Sequence, residues 1–226
     1  MTSNQPPALA AIFDWDGVII DSHDAHREAW FQLAAELGKS LTAAQFKESF
    51  GMRNETIIPG LFGWAEPGDD ATVRELADRK EHLYRESLRA TGLDPLPGVR
   101  RLLDDLDAAD IPRAIGSSTP RQNILTALEL CQLEGRFHAI VAAEDVSHGK
   151  PDPEVFVRAA QSLEVAPANC IVFEDAHVGI EAATAAGMKS IAVTTTHDRA
   201  SFGERANRIV DSLDEVSAAD LGALTT

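Results

Sequence analysis

Residues 8–21 read ALAAIFDWDGVIID, an apolar run that ends abruptly in Asp14 and Asp16, followed by Gly17. The run has the length and the isoleucine, phenylalanine and valine content of a buried β-strand. The two carboxylates lie two residues apart at the strand end, so they point roughly the same way and repel each other. An Asp-x-Asp-Gly sequence alone is also common in surface turns, but carboxylates held this close are typical ligands of a divalent cation.

The composition is that of an acidic globular protein. Of the 226 residues, 44% are hydrophobic and 25% are charged, and the formal net charge at pH 7 is −16. This charge argues against nucleic acid or an anionic membrane as a partner. It also requires that any anionic substrate meet a locally positive site.

The sequence also indicates where the protein works. Residues 1–7 are polar and have neither the basic region of a signal peptide nor a long apolar run. Cys131 and Cys170 lie far apart without a metal-type spacing, so we expect two buried thiols in a reduced compartment. We therefore expect a cytoplasmic protein without a membrane partner, as a monomer or weak dimer.

The order of the predicted elements divides the chain into two parts. Apolar residues recur at helical spacing in the segments 24–37, 41–50, 55–62 and 71–89. Beyond about residue 93 the pattern alternates, with helices at 98–109, 119–130, 153–163 and 178–186 and strands at 112–117, 138–142, 170–173, 190–194 and 208–210.

Strands that alternate with helices predict an α/β fold, with a Rossmann-like parallel sheet and helices on both of its faces. Residues 1–21 and 93–226 would form this core. The helical block at residues 22–92 is then an insertion, which we expect to form an all-helical cap domain over the sheet.

Polar and charged side chains follow four of the predicted strands, at the edge where parallel sheets bind their ligands. They are Asp14 and Asp16 after the first strand, Ser117, Ser118 and Thr119 after the second, Lys150 after the third, and Glu174 and Asp175 after the fourth. Two acidic pairs, one lysine and a hydroxyl-rich helix start together predict a site for a divalent metal and a phosphate.

Two local features are expected to shape these loops. Thr119 and Gln122 have the spacing of a capping box, and Pro120 falls in the first helical turn. A helix N-terminus lined by hydroxyls binds anions, although the same hydroxyls could serve only as caps. The loop Lys150-Pro-Asp-Pro153 is stiff because each proline holds the preceding residue extended, and Asp152 is expected to cap the next helix.

In this order the motifs resemble those of the haloacid dehalogenase (HAD) superfamily hydrolases. The resemblance is to the subgroup with a helical cap after the first motif, which includes β-phosphoglucomutase and sugar-phosphate phosphatases. The motifs are Asp14-Trp-Asp16-Gly17-Val18, Ser117, Lys150-Pro151 and Glu174-Asp175, and the resemblance covers almost the whole chain. Together they are specific for the superfamily but only weakly specific for the substrate.

The resemblance implies a two-step reaction that depends on Mg²⁺. Asp14 would attack phosphorus and become an aspartyl phosphate, while Asp16 would act as the general acid and then as the general base. The Asp14 carboxylate, the Asp16 backbone carbonyl and Asp175 would bind the metal, with Glu174 as a further ligand or as their support. The cation would also let an acidic protein bind phosphate.

The family pattern implies roles for the remaining residues as well. Ser117 and Lys150 would hold the transferring phosphoryl group, with Ser118 and Thr119 as further substrate contacts. An aspartate at position 16 argues for phosphate esters, because relatives that cleave other bonds lack an acid there.

Three residues of the predicted cap are candidate substrate ligands. His26, Arg53 and Lys80 stand near the positions where β-phosphoglucomutase carries a histidine, an arginine and a lysine, although the spacing around Arg53 is looser. Considered singly, each would more commonly be a solvated surface residue. Arg53 suits a distal phosphate or sugar hydroxyls because its donors form a planar fork.

The leading hypothesis is a Mg²⁺-dependent phosphatase of small phosphorylated metabolites, with sugar phosphates as the expected substrates. The alternative enzyme is a phosphomutase, in which a second hydroxyl of the sugar, rather than water, takes up the phosphoryl group. A catalytically silent binding protein on the same fold is a third hypothesis, because a fold does not by itself imply a function.

Overall fold

The computed structural model describes residues 9–49 and 52–225. The chain divides into two compact units: the first contains the described residues up to Asp21 and from Asp94 onward, and the second runs from Ser22 to Leu93. Phe50, the predicted end of the second helix, and the following Gly51 lie outside the described residues. Within the described ranges, no helix combines the length and the hydropathy needed to cross a membrane.

The second unit is helical. Its helices are α1 (His23–Glu36), α2 (Ala43–Ser49), α3 (Asn54–Thr56) and α4 (Asp70–Thr91). Helix α3 continues into a π-helical turn, Ile57–Leu61, in which the Phe62 N–H donates to the Ile57 carbonyl five residues back, at 2.9 Å. Pro59 lies in this turn and has no N–H to donate, which explains why a regular α-helix does not continue here.

Helices α1 and α4 pack along their apolar faces. Helix α1 buries Ala29, Trp30, Leu33 and Ala34, and α4 buries Val73, Leu76, Leu83, Tyr84 and Leu88. The Asp69 side chain caps the start of α4 by accepting a hydrogen bond from the Thr72 N–H at 3.1 Å.

The first unit is built on a sheet of six parallel strands. They are β1 (Ala10–Phe13), β2 (Arg113–Gly116), β3 (Ala139–Val141), β4 (Cys170–Glu174), β5 (Lys189–Val193) and β6 (Arg208–Val210). Their order across the sheet is β3-β2-β1-β4-β5-β6. Strand β1 is central, and none of its residues is more than 1% exposed, which is why its sequence is a continuous apolar run.

Helices cover this sheet on both faces. They are α5 (Val99–Ala108), α6 (Arg121–Leu130), α7 (Glu154–Ser162), α8 (His177–Ala185), α9 (Arg199–Phe202) and α10 (Ala218–Thr225). The chain changes direction across the sheet after β3, and connections between parallel strands follow a right-handed rule, which puts α5 and α6 on one face and α7 and α8 on the other. Ile12 packs with Phe156 of α7, whereas Phe13 points to the opposite face and stacks on Phe173 at 4.5 Å. The fold class predicted from the sequence is confirmed.

Candidate active site

The site lies where the strand order reverses, between β1 and β4. The Asp14 N–H donates to the Phe173 carbonyl at 2.9 Å, so the chain just beyond β1 stays attached to β4. Glu174 ends β4 and Asp175 follows it. A parallel sheet opens a crevice at such a switch point, and the two acidic pairs predicted from the sequence flank it.

Three buried carboxylates meet in this crevice. One oxygen each of Asp14, Glu174 and Asp175 lies within 4.8 Å of the others. The residues are 8%, 1% and 5% exposed, respectively. Hard divalent cations collect oxygen ligands at this kind of spacing, so these residues can hold one.

Lys150 connects two of the three carboxylates. Its Nζ donates to Asp14 Oδ1 at 2.7 Å and to Glu174 Oε1 at 2.6 Å, and lies 4.8 Å from the centre of the Phe156 ring. Burial lowers the pKa of Lys150, but the charges of Asp14 and Glu174 raise it more, so the pKa lies above its usual value. The amine is therefore charged at neutral pH.

The loop that presents Lys150 contains two prolines, Pro151 and Pro153. The Lys150–Pro151 peptide bond is cis. Asp152 Oδ1 accepts a hydrogen bond from the Glu154 N–H at 2.9 Å, as expected of a capping side chain, but α7 begins one residue later than predicted, with Pro153 rather than Asp152 at the N-cap position.

One lysine does not balance the charge of this cluster. Burial raises the pKa of Glu174 despite the opposing charge of Lys150. Burial, and then the charges of Glu174 and Asp14, raise the pKa of Asp175 well above its usual value. The cluster thus carries more negative charge than its own cation neutralises, and a bound divalent cation would remove this excess.

Two glycines let the backbone approach these carboxylates. A Cβ atom at Gly17 would overlap the carboxylate of Asp175, and one at Gly179 would overlap the carboxylate of Glu174. Gly17 also has a φ of +78°, in the left-handed region that favours glycine. The Asp175 carboxylate, which follows β4, thus leaves room only for a glycine at position 17 of the Asp-x-Asp-Gly motif.

The turn after β2 differs from its prediction. The predicted capping box is wrong: Thr119 Oγ1 donates to Asp16 Oδ2 instead, and α6 has no side-chain cap at its N-cap residue, Pro120. The Arg121 N–H donates to the two carboxylate oxygens of Glu144, at 3.2 and 3.1 Å. Helix α6 begins later than predicted, at Arg121 with Pro120 as its N-cap, so Thr119 lies before the capping position and its hydroxyl is available to the Asp16 carboxylate.

Ser117 lies directly after β2. It is 2% exposed, and its Oγ accepts a hydrogen bond from the Thr119 N–H at 3.2 Å, which leaves the hydroxyl hydrogen available to a ligand. Ser118 is exposed beside it.

The helical unit contains its own polar cluster, which includes two of the predicted ligands. Lys80 Nζ lies 2.9 Å from His26 Nδ1 and donates to Glu81 Oε1 at 2.9 Å. Asn54 Nδ2 donates to the same Glu81 oxygen at 2.7 Å. Arg53, which directly precedes Asn54, is half-buried. The structure therefore joins His26 and Lys80, with Arg53 next to their network.

Electrostatics fixes the charges in this cluster. Burial, followed by the positive charge of Lys80, lowers the pKa of His26 to about 3, and the ring stacks on Tyr84 at 4.1 Å. Burial alone would raise the pKa of Glu81, but Lys80 and the hydrogen bond from Asn54 lower it to about 2. At neutral pH the cluster is a Lys80–Glu81 ion pair beside a neutral histidine.

Sequence reasoning missed several residues of these two clusters. Thr196 Oγ1 donates to Asp175 Oδ2, and the run of threonines directly after a predicted strand could have been found with the same strand-end rule. Glu81 and Asn54 gave no such signal, because their contact joins α3 to α4 and depends on tertiary packing.

A parallel sheet with this carboxylate and lysine site at its switch point, and a helical insertion after the first strand, defines the haloacid dehalogenase class of hydrolases. The family model described as haloacid dehalogenase-like hydrolase matches residues 11–193, and the chain belongs to that family, as the motifs predicted.

Relatives in this family carry the names of phosphate-ester enzymes. Over 218 residues, 96% of this chain, it is 38% identical to the Arabidopsis thaliana 5-amino-6-(5-phospho-D-ribitylamino)uracil phosphatase, chloroplastic, but it spans only 57% of that protein. It is 32% identical over 184 residues to the phosphorylated carbohydrates phosphatase of Thermotoga maritima, with 80% of this chain and 83% of the relative covered. The predicted enzyme class, a phosphoric monoester hydrolase of this superfamily, is confirmed.

A solved structure with the same fold is that of a β-phosphoglucomutase from Clostridium difficile. The TM-score is 0.81 at 27% identity, and 96% of each chain is covered. The fold therefore does not separate phosphatases from phosphomutases.

Replacement of Lys150 by methionine should destabilise the protein in the absence of divalent ions. The side chain is 7% exposed, so its loss leaves buried carboxylates without their counter-charge. We expect a loss of roughly 3–5 kcal/mol in the free energy of unfolding, measured with urea in the presence of a chelator. Lys189→Met, at an exposed position of β5, is the control and should change it by less than about 0.5 kcal/mol. Equal losses would contradict the assigned charge balance.

Acid should destabilise the protein partly through His26. Its pKa is lowered from 6.5 to about 3, so between these values the unfolded chain binds one more proton than the folded one, and stability falls as the pH falls. The charges that act on the His26 ring are those of Lys80, Glu81 and His23, and Glu81, with a pKa of about 2, stays ionised in this window.

The measurement is the free energy of unfolding at pH 7 and pH 5. His26→Gln should lose about 2 kcal/mol less than the unsubstituted protein between these values. His82→Gln, at a half-exposed position of α4, should behave like the unsubstituted protein. A His26→Gln variant that loses as much as the unsubstituted protein would show that His26 does not titrate with an altered pKa.

Proposed function

We propose that the protein is a Mg²⁺-dependent phosphatase of small phosphorylated metabolites, with sugar phosphates as substrates, that works through an aspartyl phosphate. The observation that carries this proposal is the bridge from Lys150 to Asp14 and Glu174 beside Asp175, a buried and under-neutralised cluster at the sheet's switch point. The name of the Thermotoga maritima relative, a phosphorylated carbohydrates phosphatase, supports the substrate class.

In the first step, a carboxylate oxygen of Asp14 attacks phosphorus. A bond forms between this oxygen and phosphorus, the bond from phosphorus to the ester oxygen breaks, and Asp16 donates a proton to that leaving oxygen. Lys150 holds the Asp14 carboxylate through Oδ1 and offsets the repulsion between the carboxylate and the phosphate. The Ser117 hydroxyl donates to the phosphoryl group.

In the second step, water attacks the aspartyl phosphate. Asp16, now deprotonated, takes a proton from this water, the bond between phosphorus and the Asp14 oxygen breaks, and inorganic phosphate leaves. The Asp14 carboxylate is restored for the next cycle.

The residues present fit a magnesium ion. Asp14, Glu174 and Asp175 offer hard oxygen donors within 4.8 Å of one another, and we propose that the Asp16 backbone carbonyl completes the protein's share of the ligands. When bound, the cation supplies positive charge that neutralises the phosphoryl oxygens.

The helical unit is proposed to act as a cap that selects the substrate. His26, Lys80 and Arg53 would contact the part of the metabolite that is not transferred, and Ser118 would contact it from the core. The Lys80–Glu81 pair and the neutral His26 are preorganised for this role because burial and hydrogen bonds fix them. We further propose that the protein is cytoplasmic and a monomer or weak dimer.

A phosphomutase is the second candidate. The likeness to the Clostridium difficile β-phosphoglucomutase favours it, as does the presence of a histidine and a lysine in contact within the helical unit. A catalytically silent protein is disfavoured, because Lys150, Asp14, Glu174 and Asp175 are brought together as catalysis requires.

The deciding experiment is a turnover assay with Mg²⁺ on a panel of sugar phosphates. The panel includes β-glucose 1-phosphate with a catalytic amount of the glucose bisphosphate, and both inorganic phosphate and glucose 6-phosphate are followed. Release of phosphate supports the phosphatase. Glucose 6-phosphate with little free phosphate would identify a mutase, and no turnover of any ester would revive the silent protein.

Asp14→Asn should reduce turnover to background while the fold persists, because the amide is nearly the same shape but a poor nucleophile. The checks are a steady-state assay with the best substrate of the panel and the circular dichroism spectrum. Substantial turnover by a well-folded variant would show that Asp14 is not the nucleophile.

Thr119→Val should impair the hydrolysis of alkyl phosphates more than the hydrolysis of aryl phosphates. The Thr119 hydroxyl donates to Asp16 Oδ2, so we propose that it orients the general acid rather than the substrate. An alkoxide needs a proton when it leaves and a nitrophenolate does not, so kcat/KM should fall about 10- to 100-fold for a sugar phosphate and stay within a few-fold for p-nitrophenyl phosphate. Thr119→Ser should restore the activity, and equal losses on both esters would refute this role.

A further inference from the structure

We propose that Thr196 and Thr195, in the loop after β5, are positioning residues for the metal site. They fix the carboxylate of Asp175 and the backbone at Gly17, and neither belongs to the four motifs. This inference rests on the proposed function, because it assumes that Asp175 binds the cation.

The first observation is the hydrogen bond from Thr196 Oγ1 to Asp175 Oδ2. In the described part of the chain, no donor reaches the other oxygen, Oδ1. The hydroxyl therefore fixes the rotation of the carboxyl group and leaves one oxygen for a cation. The Asp175 carboxylate is 5% exposed and is surrounded by other negative charges. It therefore needs a hydrogen-bond partner such as the Thr196 hydroxyl to stay in one orientation.

The second observation concerns the neighbouring hydroxyl. Thr195 Oγ1 donates to the carbonyl of Gly17, one peptide after the Asp16 carbonyl that we propose as a metal ligand. Gly17 in turn lies directly against the Asp175 carboxylate, where no side chain would fit. Two adjacent threonines thus attach the first and the fourth motif loops to a third loop.

A third contact anchors this loop from its other end. The ring of His197 stacks on that of His177 at 4.5 Å with an interplanar angle of 24°, and Phe202 lies against both. His177 is the first residue of α8, two positions after Asp175. The segment 195–197 therefore contacts two neighbours of Asp175. Thr195 contacts the Gly17 backbone, which lies against the Asp175 carboxylate, and His197 contacts the first residue of α8.

The test measures metal binding as well as turnover. The probe is Mn²⁺, followed by the electron paramagnetic resonance of the unbound ion and displaced with Mg²⁺, on the full chain without substrate. Thr196→Val keeps the shape and removes the hydroxyl, so the metal dissociation constant should rise about 10- to 100-fold. Thr196→Ser should restore wild-type binding, and Thr195→Val should weaken binding in the same direction.

Thr194→Val is the matched control. Thr194 lies on the same loop, but its hydroxyl donates to Asp211 at 2.7 Å, so its removal should leave metal affinity and turnover unchanged. If Thr196→Val does not fold, as judged by circular dichroism, Thr196→Ala and Thr196→Ser are compared with each other in its place.

The outcomes separate the two proposals. If the unsubstituted protein binds Mn²⁺ and hydrolyses phosphate esters, and folded Thr196→Val binds the ion equally well, this inference is wrong and the proposed function stands. If the unsubstituted protein neither binds the ion nor turns over any ester, the proposed function fails and this inference fails with it. A loss of affinity in Thr194→Val as large as in Thr196→Val would also overturn it.

Discussion

The structure of the site depends on the balance of its buried charge. Asp14, Glu174 and Asp175 are buried together, and burial of several carboxylates is unfavourable unless positive charge lies within contact distance. Lys150 supplies part of it by joining Asp14 to Glu174, and the loop that presents it leads into the start of α7, where the Asp152 side chain accepts a hydrogen bond from the Glu154 N–H. Under the proposed function, a cation bound here would make up the remaining deficit and supply the positive charge that an anionic substrate needs in a protein with a net charge of −16.

The second constraint is the close approach of the backbone to the carboxylates, which follows from the spacing of the strands in the sheet. The carboxylates lie at the ends of β1 and β4, which are neighbours only because the chain returns across the sheet after β3. Strands about 5 Å apart leave little room between their loops, so Gly17 and Gly179 stand where any side chain would displace a carboxylate. Charge balance and backbone geometry are therefore not independent, because Gly179 leaves room for the Glu174 carboxylate that Lys150 contacts.

The features that the sequence predicted correctly follow from periodicity and from the strand-end rule. A buried parallel strand is recognisable from its continuous apolar residues, and whatever follows it reaches one edge of the sheet, which is enough to group Asp14, Lys150 and Glu174. The partner of Thr119 was not predictable in this way. The capping-box pattern predicts only hydrogen bonds between Thr119 and residues a few positions away in the sequence. The structure instead shows the Thr119 hydroxyl donating to Asp16, which follows a different strand. The pairing of Glu81 with Asn54 was hidden for the same reason, since it depends on how α3 meets α4.

The polar network of the helical unit is costly as a structural element. Lys80 and Glu81 are 3% and 7% exposed, and a buried ion pair is commonly no more stabilising than apolar residues of similar size. Trp30 and Tyr84 already pack around Lys80, so an apolar residue at that position would complete a conventional helix interface. We interpret the buried charges of Lys80 and Glu81 as groups that are retained to recognise the substrate. Under the proposed function, the core would carry the chemistry of the reaction, and the helical unit would carry the groups that distinguish one phosphate ester from another.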